Sequence, residues 1–507
     1  MHARTDWLER WALYTPERVA LEWVPTGQTI TYRQLHQQGL RVAAALTHRY
    51  GLKAGDRVGI LAQNTLEHVL LLAAAQKTGW ILTPINFRMA AAEVAHVFDD
   101  SQPALVLVQD QYTQVAAQAA QIAAHSPKLL ALNGASEESF EALVNGDAPA
   151  WEGQGPSFED PCMILYTSGS TGRPKGALIT HRMLAFNAIN TSLSIDLSGQ
   201  DVSFNAAPLY HTGGWNVLTT PLLFHGGRVL LLDRFDGGQL LELCQSRGIT
   251  ILWGVPTMMK MMAEDPRFES ADLSTVRYAL VGGEPMPEGL IHTWQDKGVP
   301  IRQGFGMTEV GPNCFSLPQQ DALRKIGSIG RPNFYIDVRL VDDDGQDVPS
   351  GQEGELWMRG PVVTPGYWRN PEANAKTIKD GWFATGDLLR CDKEGYFYVV
   401  GRKKDMYISG GENVYPPEVE RVLASHESIV EAAVVGVPNE KWGEVGVAFV
   451  VCSGEMEAEQ VREHCRGALA RYKVPRHVVF VPDALPQGSS GKIDKKVLRV
   501  KALAQFA

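Results

Sequence analysis

Residues 166–176 read YTSGSTGRPKG. Glycines at 169, 172 and 176 let backbone N–H groups approach an anion with no Cβ in the way. Thr167, Ser168, Ser170 and Thr171 add hydroxyl donors, and Lys175 adds a point charge. Such a stretch suits phosphate. It is not the common phosphate loop, which needs G-x-x-x-x-G-K followed by Ser or Thr. Here Gly172 is followed by Arg173, Pro174, Lys175 and Gly176. On these residues alone a plain Gly/Ser/Thr turn stays open as the alternative.

Four further segments could share in the same chemistry. In GFGMTEVGP, 304–312, Gly304 and Gly306 allow close backbone approach, while Thr308 and Glu309 set a hydroxyl beside a carboxylate. A hard cation bridging phosphates wants that oxygen set. In GWFATGDL, 381–388, Asp387 follows a Thr-Gly turn and can accept both hydroxyls of a ribose. Arg402, Lys403 and Lys404 form a basic run, and LPQGSSGKIDKK, 485–496, presents Lys492 on a Gly/Ser loop. Each has a bland counterpart: a strand-end turn, a turn-forming Asp, a solvated charge run, a basic tail.

Elements must hold these segments. Apolar runs at 57–62, 104–108, 228–232, 249–253 and 278–281 read as buried strands. Helical patterns such as 65–79 and 238–247 lie between them, which is α/β architecture with largely covered sheets. Residues 177–184 fit a strand or a helix. The last hundred residues read as a separate unit. Pro416 and Pro417 open a helix with Glu418 and Glu420 in its first turn. Strands are expected at 432–437 and 445–451. A second helix carries Val461, Cys465 and Leu469 on one face.

Composition limits the possibilities. The chain has 507 residues, more than one ordinary core holds, and ordinary globular shares of hydrophobic (44%) and charged (21%) residues. A net charge of −10 excludes a chain-wide footprint for nucleic acid. The six cysteines show no C-x-x-C and no metal spacing with histidine. The start lacks the apolar core of a signal peptide, and no apolar run reaches the length of a membrane span, so a cytoplasmic location is expected.

Taken in order, the five segments resemble the motif set of the adenylate-forming (AMP-binding) superfamily: acyl-CoA synthetases, adenylation domains of peptide synthetases, and luciferases. The resemblance runs from TYRQL at 31–35 to KIDKKVLR at 492–499. It implies an α/β protein with a large N-terminal domain of layered sheets and helices, 1–402, and a small mobile α/β C-terminal domain, 403–507. It also implies two half-reactions. A carboxylate attacks the α-phosphorus of ATP, giving acyl-AMP and pyrophosphate; a thiol, CoA, then attacks the acyl carbon and releases AMP.

Roles follow by the same resemblance. The loop of Thr167, Ser168, Gly169, Ser170, Thr171, Gly172 and Lys175 would wrap the β- and γ-phosphates. Glu309, with Thr171 or Thr308, would hold Mg²⁺. Gly283, Glu284 and Pro285 of VGGEPMP, and Gly304, Phe305, Gly306 and Met307, would line the adenine. Asp387 and Arg402 would bind the ribose. Lys492 would bridge the carboxylate and the α-phosphate, Lys404 would be the hinge, and Gly410 and Gly411 would border a pantetheine tunnel. APLYHTGGWNVLTTPLL, 207–223, would border the acyl pocket through His211, Gly213 and Trp215, with Gly282 nearby. No acid stands between Asn205 and Trp215, which favours an uncharged fatty or aromatic acyl group. With no carrier domain after residue 507, free CoA is the expected acceptor. Carrier-protein loading, a luciferase-like oxygenase and a phosphate-loop NTPase or kinase remain as rivals, and a homodimer is left as an option.

Overall fold

The computed structural model describes residues 5–133, 139–146, 149–167, 174–488 and 492–506. Ser168, Gly169, Ser170, Thr171 and Gly172 of the glycine-rich loop lie outside them. The chain forms two compact units: Met1–Asp337 with Met358–Phe383, and Val338–Trp357 with Ala384–Ala507. The expected division at 402/403 falls inside the second unit.

In the first unit a six-stranded sheet runs Lys128–Ala131, Leu105–Val108, Arg57–Leu61, Ile81–Ile85, Pro161–Thr167, Lys175–Thr180. All neighbours are parallel except the last two strands, which are antiparallel and carry the two ends of the glycine-rich loop. Ile81–Ile85 and Leu105–Val108 are buried at every position, as strands of a parallel sheet covered on both faces should be. Between strands, Leu66–Thr78 is a helix buried on nearly all sides. It stops at Gly79, whose φ of 74° gives the left-handed cap that glycine adopts most readily. Residues 175–184 turn out to be both strand and helix: Lys175–Thr180 is extended, and Thr180 caps the helix His181–Ile195 through its side-chain oxygen.

A second sheet positions the other segments. Ile251–Gly254, Tyr278–Val281 and Ile301–Met307 are parallel, and a single turn then sends Gly311–Ser316 back antiparallel. The carboxyl ends of these parallel strands therefore bring 282–285 and 304–309 together, where α/β sheets place their ligands.

The second unit is built on the hairpin of Ile429–Asn439 and Gly443–Cys452, flanked by Tyr407–Ser409 and His477–Phe480. Gly436 and Gly446 face each other across the hairpin. A Cβ on either would strike the buried Tyr407, at 2.4 Å from its Cβ and 2.3 Å from its Oη respectively. The two glycines thus form a slot for that ring. Tyr407 opens the short strand that leads to the Gly410–Gly411 turn, whose φ values are 63° and 87°. The helices Pro416–Ala424 and Ala458–Ala468 cover one face. Val461 and Cys465 are buried as expected, but Leu469 is extended and lies just past the helix end.

Candidate active site

Four described residues from three separate chain segments meet at the top of the first unit. Thr167 ends its strand opposite Lys175, so the loop between them leaves and returns across one ladder pair. The Glu309 carboxylate is 5% exposed and sits in the single 3₁₀ turn between two strands of the neighbouring sheet. Two hydroxyls donate to its Oε1: Tyr367 Oη at 2.8 Å and Thr167 Oγ1 at 3.4 Å. Lys175 Nζ stands 5.3 Å from the centre of the Tyr367 ring, within cation–π range. A buried carboxylate, a lysine and hydroxyl donors beside a glycine-rich loop give a site that can take a polyphosphate with its cation. No cluster of three His, Cys, Asp or Glu side chains able to hold a metal exists among the described residues. One carboxylate is nonetheless what a phosphate-bound Mg²⁺ asks of a protein.

Tyr367 was invisible in the sequence reading. It belongs to 364–368, TPGYW, which zips onto the free edge of Lys175–Thr180: Leu178 N–H donates to Gly366 O and Trp368 N–H to Gly176 O. Thr364 Oγ1 adds a bond to Leu178 O, and Thr364 N–H holds Glu309 O. Burial, and the adjacent Glu309 charge, push the Tyr367 phenol well above its ordinary range, so it remains a donor. The one signal in the sequence was the Pro-Gly pair at 365–366, which marks a turn and says nothing of its partner.

The glycines of 282–306 are explained partly by packing. A Cβ on Gly306 would lie 2.3 Å from Gly311 O and from the Pro312 backbone, which closes the hairpin too tightly for any side chain. Gly282 would come 3.3 Å from Gly304 O. Gly283 takes φ 85°, and Gly283, Glu284 and Pro285 are exposed just past the strand end. Phe305 stands edge-on to Phe315 at 5.8 Å. Met307 and Thr308 follow, half-buried.

His211 precedes the short helix Thr212–Asn216, its ring 4.4 Å from that of Tyr210. Gly213 packs by the Trp253 ring, 3.6 Å from where its Cβ would be. Trp215 does not face open space. It is fully buried, its indole N–H donates to Leu209 O, and its ring lies 6.3 Å from His68. It therefore supports the 211–213 segment from behind.

The strands Trp382–Cys391 and Phe397–Arg402 pair antiparallel and, within the second unit, set Asp387 opposite Arg402, joined by an Nε to Oδ1 bond of 2.9 Å. Asp387 is 3% exposed. Burial raises its pKa, against the opposing pull of Arg402, Lys492 and Lys404. Lys492 acts on Asp387 from a loop closed by Gly488 N–H on Lys492 O and by the Gln487–Ile493 bridge. Lys403 is no free charge: it pairs with Asp343 at 2.7 Å and Glu355 at 3.3 Å. Lys404 is the exposed residue between it and Asp405.

Comparison with known proteins identifies the family. Residues 8–368 match the family model described as AMP-binding enzyme, and 418–492 match that of the AMP-binding enzyme C-terminal domain. The feruloyl-CoA synthase of an Amycolatopsis species is 39% identical over 497 residues, 97% of this chain and 98% of that protein. The indoleacetate–CoA ligase of Aromatoleum aromaticum is 39% identical over 502 residues, 98% of this chain and 97% of that one. Among solved structures, ATP-bound MatB from Rhodopseudomonas palustris superposes with a TM-score of 0.91 at 32% identity over the whole of both chains. The o-succinylbenzoate–CoA synthetase of Bacillus subtilis, in complex with ATP and magnesium, gives 0.87 at 30% identity over 96% of this chain and 98% of that one. The likeness extends from end to end, and the chain belongs to the AMP-binding enzyme family, on its acid–CoA ligase branch.

Proposed function

We propose that this enzyme activates a carboxylate bearing an uncharged aromatic acyl group for transfer to CoA. One acid oxygen attacks the α-phosphorus of ATP, and the bond to pyrophosphate breaks. The CoA sulfur then attacks the acyl carbon, its proton is lost, and AMP leaves. Two observations favour an aromatic acid. Relatives covering nearly the whole chain carry feruloyl-CoA synthase and indoleacetate–CoA ligase activity by name. Gly213 lies against an aromatic residue, Trp253, 3.6 Å from where a Cβ would be, and no acid stands in 205–215 to meet an ammonium group.

The observation that carries the reading is the convergence of Glu309, Thr167, Tyr367 and Lys175 where the glycine-rich loop begins and ends. In this assignment the loop, with Thr171, and Lys175 hold the leaving pyrophosphate, and Glu309 holds Mg²⁺. Asp387 and Arg402 take the ribose. Lys492 serves the first half-reaction, as one ammonium can contact two anionic oxygens at once. The segment around Lys404 is the hinge that lets the small domain change its role between half-reactions, when Gly410 and Gly411 border the pantetheine path. Location in the cytoplasm and a homodimeric assembly belong to the same proposal.

Acid-dependent ATP–pyrophosphate exchange over a panel of aryl, fatty and short acids tests it. Aryl acids are expected to drive exchange, and the best of them to yield a CoA thioester and AMP. Exchange driven by fatty acids and not by aryl acids would overturn the substrate class.

A further inference from the structure

A small, half-open cavity lies against the 308–312 turn, with room for about one water molecule (≈ 10 Å³). Met183 and Leu184 form an apolar wall with Gly311 beside them, and four polar side chains line it: Asn187, Thr212, Asn216 and Thr308. Thr212 directly follows His211, and Thr308, which also lines the cavity, directly precedes Glu309. The cavity therefore lies between the two segments assigned to the acid and to the phosphate cation.

The hydrogen bonds around it do not balance. Asn187 is 3% exposed, and its Nδ2 donates to Asn216 O at 2.6 Å, which fixes the orientation of the amide. Its Oδ1 is buried and accepts nothing among the described residues. That oxygen is beside Gly311, where a Cβ would stand 3.2 Å away. Asn216 is already engaged: its Nδ2 donates to Thr212 Oγ1 at 3.1 Å and its Oδ1 accepts from Thr220 at 2.9 Å. Thr212 Oγ1 is thus already an acceptor and keeps its own O–H to donate. Asn187 Oδ1 is thus a buried acceptor without a donor among the described residues, and the Thr212 hydroxyl beside it can donate. A buried amide oxygen without a donor is costly to keep.

We propose that Asn187 is a specificity-determining residue of the acyl site. Its Oδ1 accepts a hydrogen bond from an O–H at the end of the acyl group remote from the carboxylate, and the Thr212 hydroxyl donates to the same oxygen. The space takes one oxygen and excludes a methoxy group, and the apolar wall excludes a phenolate. A resident water offers the same O–H chemistry, so the test must separate the two sources. The inference rests on the acid–CoA ligase reading.

The experiment measures kcat/KM for pyrophosphate exchange with cinnamate, 4-hydroxycinnamate and 4-methoxycinnamate, and with benzoate and 4-hydroxybenzoate. The expected result is a preference of about tenfold or more for the hydroxylated member of at least one pair, with the methoxy acid no better than the unsubstituted one. Asn187→Leu should bring that ratio close to one. Thr212→Val, read alongside so that the outcome does not depend on one variant folding, should lower it. Brisk exchange with equal kcat/KM for hydroxylated and unsubstituted acids would mean that a water holds the cavity, and would overturn the inference while leaving the ligase reading standing. An undiminished preference in a folded Asn187→Leu enzyme would also overturn it. Exchange with no acid at all would overturn both.

Discussion

Glu309 and Asp387 are both buried carboxylates, held in opposite ways. Glu309 accepts from the hydroxyls of Tyr367 and Thr167; Asp387 faces a guanidinium, yet burial still raises its pKa. The Tyr367 hydroxyl is the group whose removal tests the proposed phosphate and cation site. Tyr367→Phe should leave the buried carboxylate short of a donor, at a cost of about 1–3 kcal/mol. The expected outcome is a fall of roughly ten- to a hundredfold in kcat/KM for ATP, with a higher Mg²⁺ concentration needed for half-maximal rate. A Mg²⁺ titration of the variant checks it, and an unchanged requirement would separate Tyr367 from cation binding. The sequence named Glu309, Asp387, Arg402 and Lys175 because each sits in a short, composition-rich motif. Tyr367 and Asn187 escaped for one reason: each matters through a partner distant in sequence. Glu309 lies 58 positions from Tyr367, and Asn216 lies 29 from Asn187.

At the scale of elements, the buried strands were legible to within a residue or two, since parallel strands covered on both faces read as unbroken apolar runs. Tyr278–Val281 is as expected, and 57–62 became Arg57–Leu61. Pairing was not legible. Nothing local announces that 364–368 would add to the edge beside Gly176, or that the 304–312 motif would fold back on itself around one turn. The glycines of that motif were expected to admit a ligand; Gly306 is there at least as much because the returning strand touches it. Gly306→Ala places a methyl against fixed backbone, so overpacking of about 1–3 kcal/mol is expected. The hairpin, and Glu309 at its turn, should shift. A lowered melting temperature together with loss of pyrophosphate exchange is the predicted pair of results, and an active variant with normal melting would show that the hairpin yields at little cost.

Two predictions belong to the whole molecule. His68 and His181 are buried, and burial lowers their pKa values to about 3 and about 4. Above the ordinary value of 6.5 both folded and unfolded chains carry them neutral, and they add nothing to the pH dependence. Below it the unfolded chain takes up protons that the folded chain refuses. Stability should therefore fall from pH 6.5 toward about pH 4, by up to about 1.4 kcal/mol per pH unit for each histidine. Melting temperatures between pH 7.5 and 5 check this, and His181→Gln should flatten the slope; a flat wild-type profile would remove these two groups from the account. The second concerns division of labour along the chain. Lys492→Ala should abolish adenylation and spare thioester formation from supplied acyl-AMP. Lys404→Pro should do the converse, since the neighbouring N–H bonds of Lys403, Asp405 and Met406 do not depend on the N–H at 404. Equal loss of both half-reactions in either variant would sink the assignment.

Tyr407 lies in the slot formed by Gly436 and Gly446, and this has a practical side for anyone diversifying the enzyme. The slot is a lock-and-key joint within one unit, and it anchors the strand leading to the Gly410–Gly411 turn. Positions 407, 436 and 446 tolerate almost no exchange: a side chain at either glycine overlaps the ring, and a smaller residue at 407 opens a void. A mutant library aimed at new acids gains nothing by sampling these three sites and loses folded members by doing so. Freezing them and randomising around Asn187 and Gly213 keeps the search within sequences that still fold.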